Sequence, residues 1–137
     1  MREATDDKDL DKCTRKKTQV EKVKNAEEKI NKSVEKVSNA KTDTANNKTE
    51  SDFERNTIVE GINNLKKDLE KIKALKVEDS ELQKVKDNVI KGTECFINGF
   101  TQYFNYDMEA NTTLKAADEY FYKAQEQLDG FLETLKE

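Results

Sequence analysis

The sequence predicts an all-α protein, an antiparallel up-down-up-down four-helix bundle, and three observations lead there. The 137 residues contain no proline and only four glycines. An all-β chain needs turn residues every ~8–12 positions, whereas long helix interiors exclude both residue types. Apolar residues recur at alternating spacings of three and four, the period of a helix with one buried stripe. The stripes fall into four runs of similar length, over about 13–41, 52–76, 80–106 and 112–136, each roughly 37 Å of helix. Short connections between such runs favour antiparallel neighbours. Hydrophobic residues make up only 34% of the chain, so the core is thin and narrow-striped helices suit it.

Residues 1–12 read as a polar, flexible tail. In the first helix, 13–41, "VEKVKNA" at Val20–Ala26 returns as "VEKVSNA" at Val34–Ala40, fourteen residues or two heptads later. Val20, Val23, Ile30, Val34 and Val37 occupy the seam positions of a coiled-coil pattern, with Glu27 the one miss. "TDTANNKTESD", 42–52, has no periodicity and reads as a loop, with Ser51 or Asp52 able to cap the next helix. The second helix carries Ile58, Ile62, Leu65, Leu69 and Ile72. Gly61 inside it costs ~1 kcal/mol against Ala, and either permits a close helix approach or is merely tolerated. Asp79 or Ser80 can accept from the free N–H groups that open the third helix. There Leu82, Val85, Val89, Phe96 and Tyr103 continue a stripe in which Gly92 and Gly99 replace large residues. The fourth helix alternates cleanly through Leu114, Ala117, Phe121, Ala124, Leu128, Phe131 and Leu135. The competing architecture is a three-helix bundle of 52–137 with the first helix, whose stripe is weakest, loosely attached.

The segment "CFINGFTQYFNYD", Cys95–Asp107, holds five of the ten aromatic residues in a chain that is 39% charged. Gly92 and Gly99 leave room for large side chains from the fourth helix, where Tyr120 and Phe121 are available. Phe96, Phe100, Phe121 and Phe131 read as core. Tyr103, Phe104, Tyr106, Tyr120 and Tyr122 are harder to bury. They read either as an end-cap of the core or as a contact patch at one bundle end, since tyrosine anchors are enriched in protein interfaces.

Several function classes are disfavoured by composition. The chain has no histidine, which removes histidine-based general base catalysis, nucleophile–histidine pairs and Glu-x-x-His metal sites. No phosphate-cradling glycine loop is present. No catalytic, cofactor or metal residues are therefore assigned, and an enzyme is not expected. Residues 95–137 hold three basic and eight acidic residues, so the aromatic end is also the acidic end, the reverse of a nucleic-acid binder. No run approaches the ~20 apolar residues of a membrane span. Cys13 and Cys95 form no CxxC and read as two unrelated thiols, or as a disulfide in an oxidising compartment. Glu94 beside Cys95 raises its expected pKa and leaves it a poor nucleophile. The Lys/Glu lacing of "VEKVKNAEEKINKSVEK" and "LKKDLEKIK" reads as a solvated, self-neutralising face. Its other reading is a strip for polyanions.

The layout, with "REATDDKDLDKCTRKK" as a tether and "ADEYFYKAQEQLDGFLETL" as a closing helix, resembles the helical ectodomains of small bacterial surface lipoproteins. That resemblance implies a cell-surface or secreted bundle with an unidentified protein partner. "DLDKC" lacks the apolar run that a lipid-modified cysteine requires, so an anchor would lie upstream of Met1. Two other readings stand beside it. One is a small cytoplasmic phage- or plasmid-type regulator that blocks a protein target. The other is a coiled-coil assembly element that self-associates through the VEKVxNA heptads.

Overall fold

The computed structural model describes the backbone of residues 2–47 and 52–136, and the side chains of residues 17–39 and 55–134. Four helices follow one another, α1 Arg2–Asn47, α2 Asp52–Ala74, α3 Ser80–Phe104 and α4 Ala110–Lys136. Sequential helices pack side by side in the up-down bundle the spacing predicts, with the most extensive contact between α3 and α4.

The seam residues meet in one core. Val20, Val23, Ile30 and Val37 of α1 are buried together with Ile58, Leu65 and Ile72 of α2, Leu82, Val85, Val89 and Phe100 of α3, and Ala117, Ala124 and Leu128 of α4. The first helix thus belongs to the core, which favours the four-helix architecture over the three-helix alternative. Register between α1 and α2 is set by two contacts. Ser33 Oγ donates to Asp68 Oδ2 at 3.1 Å, and Val37 packs on Gly61, where a Cβ would collide with it. Gly61 therefore permits a close helix approach.

α1 is longer at both ends than the spacing predicts. It begins at Arg2, so the tail expected over 1–12 is helical from its second residue, and it continues through 42–47, which the lack of periodicity had assigned to a loop. The physical reason is local. No glycine or proline precedes Gly61, so no strong breaker stops the helix at either end, and even the mostly weak formers of Thr42–Asn47 extend it. The capping expected of Ser51 or Asp52 lies outside the described side chains. The Nε2-bearing amide of Gln19 marks where α1 passes the other end of the bundle, its Oε1 accepting from the Glu78 N–H at 2.9 Å. Arg2–Thr18 precede that contact, about 25 Å of helix.

The connections are closed by named groups. Asp79 caps α3, its Oδ1 accepting from the N–H groups of Glu81 at 2.9 Å and Leu82 at 3.2 Å. Lys86, buried on α3, reaches back to the end of α2 and donates from Nζ to the carbonyls of Leu75 at 2.6 Å and Lys73 at 3.3 Å. A cation there satisfies orphan carbonyls and complements the negative end of the helix dipole. α3 and α4 approach closely because Gly92 and Gly99 accept side chains from the facing helix. A Cβ at Gly92 would stand 2.5 Å from Phe121 Cδ2, and one at Gly99 2.6 Å from Leu114 Cδ2. Phe121 fills the Gly92 gap as predicted, and its ring lies 5.3 Å from that of Phe96.

Two acids sit in the α1–α2 half of the interior. Asp68 is held by Ser33. Glu27, the miss in the α1 stripe, occupies its seam position nonetheless and is 5% exposed. Burial pushes its carboxyl above the usual range, and the carboxylates of Asp129 and Glu28 add to the shift.

Candidate functional site: the corner between α3 and α4

The corner is built by the run "QYFNYDMEA", 102–110. α3 stops at Phe104, Asn105 is its C-cap at φ −92°, and Tyr106 takes φ 60°. The Asp107 N–H donates to the Gln102 carbonyl at 2.8 Å and the Tyr106 N–H to the Tyr103 carbonyl at 3.0 Å. These are the paired bonds of a Schellman ending, whose left-handed position is usually glycine. A tyrosine there bears a Cβ clash of about 1–2 kcal/mol. Asp107 then opens α4, its Oδ1 accepting from the Glu109 N–H at 2.9 Å.

Arg55 of α2 holds the bend in place. Its Nη1 donates to the Tyr106 hydroxyl at 2.9 Å and its Nη2 to the Phe104 carbonyl at 3.3 Å. The guanidinium carbon lies 4.0 Å from the Phe104 ring centre and 5.3 Å from that of Tyr106. Arginine is suited to this double task, because its planar fork donates in two directions while its face stacks on aromatic rings. Tertiary contact thereby offsets the backbone strain. The bend leaves Tyr106 71% and Met108 95% exposed, side by side in the connection and flanked by the exposed acids Asp107 and Glu109. Gln102 Oε1 is enclosed at the end of α3 without a hydrogen-bond partner among the described residues.

Of the five aromatic residues predicted as one end patch, the structure brings three together. Tyr103 and Phe104 are half-buried against the core and Tyr106 stands outward. Tyr120 and Tyr122 lie ten and twelve residues into α4, about 15 Å along the helix from the corner. Tyr120 packs its Cβ over Gly92. Tyr122, 67% exposed, borders a shallow surface hollow with Lys115, Asp118, Glu119 and Lys123. The patch is divided because the first ten residues of α4 separate Tyr120 and Tyr122 from the corner, a separation that clustering in sequence conceals. Met108 and Arg55 were missed. Met108 is the apolar residue in a polar connection, and Arg55 is the only arginine after Arg15, a signal for stacking in a lysine-rich chain.

Cys95 is a half-buried free thiol. Its pKa is raised by burial and, to a lesser degree, by Glu94. The side chain of Cys13 lies outside the described residues. Along α1, Cys13 precedes Val34 by 21 residues, about 32 Å of helix rise, and Val34 and Ser38 are the α1 residues that share a groove with Phe96. That groove, about 300 Å³, is floored by Phe96 and Phe100 and edged by Ser38, Leu114 and Asp118. Burial raises the pKa of Asp118. Among the described residues there is no group of three acids or cysteines placed to hold a metal ion, and no helix is long and apolar enough to cross a membrane.

Comparison with family models, curated proteins and solved structures finds no match for this chain. The fold and the class, an all-helical four-helix protein, stand on the geometry alone.

Proposed function

We propose that this protein is a non-enzymatic helical-bundle module that acts by protein–protein contact through the α3–α4 corner. One observation carries the reading. A tyrosine occupies a strained left-handed position that glycine would fill without strain, and Arg55 holds it there with Tyr106 and Met108 facing solvent. Backbone strain retained against an easier residue is a mark of functional sites. The corner offers a flexible apolar side chain, an aromatic anchor and two flanking acids, which suit an apolar hollow with a basic rim on a partner protein. The partner of the predicted five-residue patch becomes the partner of this smaller surface. The lipoprotein-like layout supports a location outside a bacterial cell.

Photo-crosslinking from position 108 in the native host, with position 130 on the outer face of α4 as control, tests the contact. A protein adduct is expected from 108 and not from 130. Replacing Tyr106 by Gly together with Met108 by Ser is expected to weaken that partner by at least about tenfold, or roughly 1.4 kcal/mol. Retention of full affinity in that variant would overturn the reading. Protease treatment of intact cells tests the location: a surface protein is cut, whereas a cytoplasmic regulator is protected.

The coiled-coil assembly reading draws support from one feature, the 46 residues of α1 against 23 in α2. Mass in solution that rises with concentration, and stops rising when residues 1–16 are removed, would favour it over a monomeric module.

A further inference from the structure

The bundle is open along one side. Among the described residues α1 packs on α2 and α3, and α4 packs on α3, but α1 and α4 make no extensive contact with each other. Two hollows lie along that seam. One, about 370 Å³, is bordered by Val20, Lys24 and Glu28 of α1 and Leu132 of α4. The other is the groove of about 300 Å³ between Val34 and Leu114, floored by Phe96 and Phe100.

Glu27 stands at the inner end of the first hollow, buried at a seam position that an aliphatic residue would fill. Among the described residues its carboxyl group has no hydrogen-bond or ion-pair partner. The α4 group whose charge bears on it is another acid, Asp129, and Glu28 on its own helix adds a third. Asp129 is exposed, and its Oδ1 accepts only from the neutral amide of Gln125, at 2.9 Å. No group on α2 or α3 offsets these charges. Lys86, the buried cation of α3, is committed to the carbonyls of Lys73 and Leu75. Lys24, one turn earlier on α1, is exposed and forms no ion pair with Glu27. A buried carboxylate is ordinarily paired with a cation. Here the chain supplies none, and the site costs stability, as functional positions commonly do.

We propose that the α1–α4 seam binds a basic amphipathic helix of a partner protein, which sets a lysine or arginine between Glu27 and Asp129 and an apolar side chain over Phe96 and Phe100. The cation replaces a repulsion between two carboxylates with two attractions, in a site with little water. Glu27 and Val34 are seven residues apart, about 10.5 Å along α1. A helix laid along the seam therefore presents its cation and its apolar anchor two turns apart on one face, the helix-in-groove mode of recognition. The flanking half of the molecule suits a basic partner, since residues 95–137 hold three basic and eight acidic residues. This surface is separate from Tyr106 and Met108 and stands independently of the corner.

The test is selection of a displayed library of random peptides, about 18 residues or about 27 Å of helix long, on the full chain at neutral pH. Enriched peptides are then synthesised and their affinities measured. They carry a lysine or arginine seven residues from a leucine, isoleucine or phenylalanine, and circular dichroism shows helix gained on mixing. Glu27→Gln weakens binding at least about tenfold, although the variant folds at least as stably as the parent because a desolvated carboxylate is gone. Replacing the peptide's basic residue by norleucine costs as much against the parent chain and little against Glu27→Gln, since the two changes remove one interaction. Affinity rises with pH through the elevated Glu27 value, because only the ionised carboxylate attracts the cation, and Glu27→Gln abolishes that rise. The Tyr106→Gly, Met108→Ser variant retains the peptide, which separates this surface from the corner. Failure to enrich any peptide, enriched peptides without a basic residue, or undiminished affinity in Glu27→Gln would each overturn the proposal. So would self-association of the chain that Glu27→Gln abolishes, since the occupant of the seam would then be a second copy.

Discussion

The two halves of the bundle solve one packing problem differently. α3 and α4 meet through large residues set into glycine gaps, Phe121 over Gly92 and Leu114 over Gly99, with Phe96 and Phe100 stacked alongside at 5.7 Å. α1 and α2 meet through a thin aliphatic seam that tolerates Glu27 and Asp68 in buried positions. The first arrangement makes few interchangeable contacts and depends on shape. The second repeats a heptad and depends on the sum of many small contacts, so one poor residue is absorbed. The difference teaches where this protein resists change and where it has room for charge. Shape-dependent packing concentrates the energy in α3–α4, and the α1–α2 half, whose core is less demanding, holds the two buried acids.

Phe100→Ala should separate the halves most sharply. Phe100 is fully buried, and its truncation is expected to destabilise the fold by about 3–5 kcal/mol, against the lower end of about 2–5 kcal/mol for Ile30→Ala, equally buried in the α1 seam. Urea unfolding midpoints at constant slope measure both, and equal losses would erase the distinction. Gly92→Val drives a side chain into Phe121, and the overpacking is expected to remove about 1–3 kcal/mol, whereas Gly130→Ala, where a Cβ meets nothing within 4 Å, should be neutral or slightly stabilising.

Glu27→Gln is expected to act in the opposite direction from the core truncations, stabilising the fold by about 1 kcal/mol at neutral pH because a desolvated carboxylate is removed. The pH dependence follows from the raised pKa. The folded state holds the Glu27 proton more tightly than the unfolded state, so this group contributes stability at acidic pH that is lost as pH climbs from the ordinary glutamate value through the elevated folded one. Thermal unfolding of wild type and Glu27→Gln across that window should diverge with rising pH. Parallel curves would show that Glu27 is solvated.

The smallest expected effect is at the corner. Tyr106→Gly relieves the left-handed strain, about 1 kcal/mol, while losing the hydroxyl bond and ring contact to Arg55, of similar size. Near-unchanged stability is expected, which makes it a clean probe of contact. Thiol labelling sharpens the register of α1. Both cysteines should react without reductant, Cys95 more slowly because it is half-buried with a raised pKa. A quantitative Cys13–Cys95 bridge would require α1 to break, since a disulfide needs Cα atoms within about 7 Å.

Much of the fold was legible because helical periodicity is a local property. The Val20, Val23, Ile30, Val37 stripe and Ala117, Ala124, Leu128 and Phe131 of the fourth helix are buried as the spacing predicts, with Leu114 and Phe121 half-buried against them. The gap at Gly92 takes the Phe121 and Tyr120 side chains that the spacing offered, whereas the gap at Gly99 takes Leu114. The ends of α1 were not legible, since lack of an apolar stripe marks where a helix leaves the core and not where it stops. The corner was half legible. The aromatic cluster pointed to the end of α3, but nothing in the spacing of Tyr120 and Tyr122 revealed that they belong elsewhere.

By itself the sequence determined the number of helices, the face each one buries and the exclusion of histidine chemistry, because residue identity and period act within a few turns of chain. Only the tertiary structure decided that Arg55 reaches across 49 residues to the Phe104 carbonyl, that Tyr106 sits in a strained bend, and that Ser33 meets Asp68 across the α1–α2 seam. Each of these depends on the register between helices. Register is set by the summed packing of facing side chains, which one helix read alone does not contain.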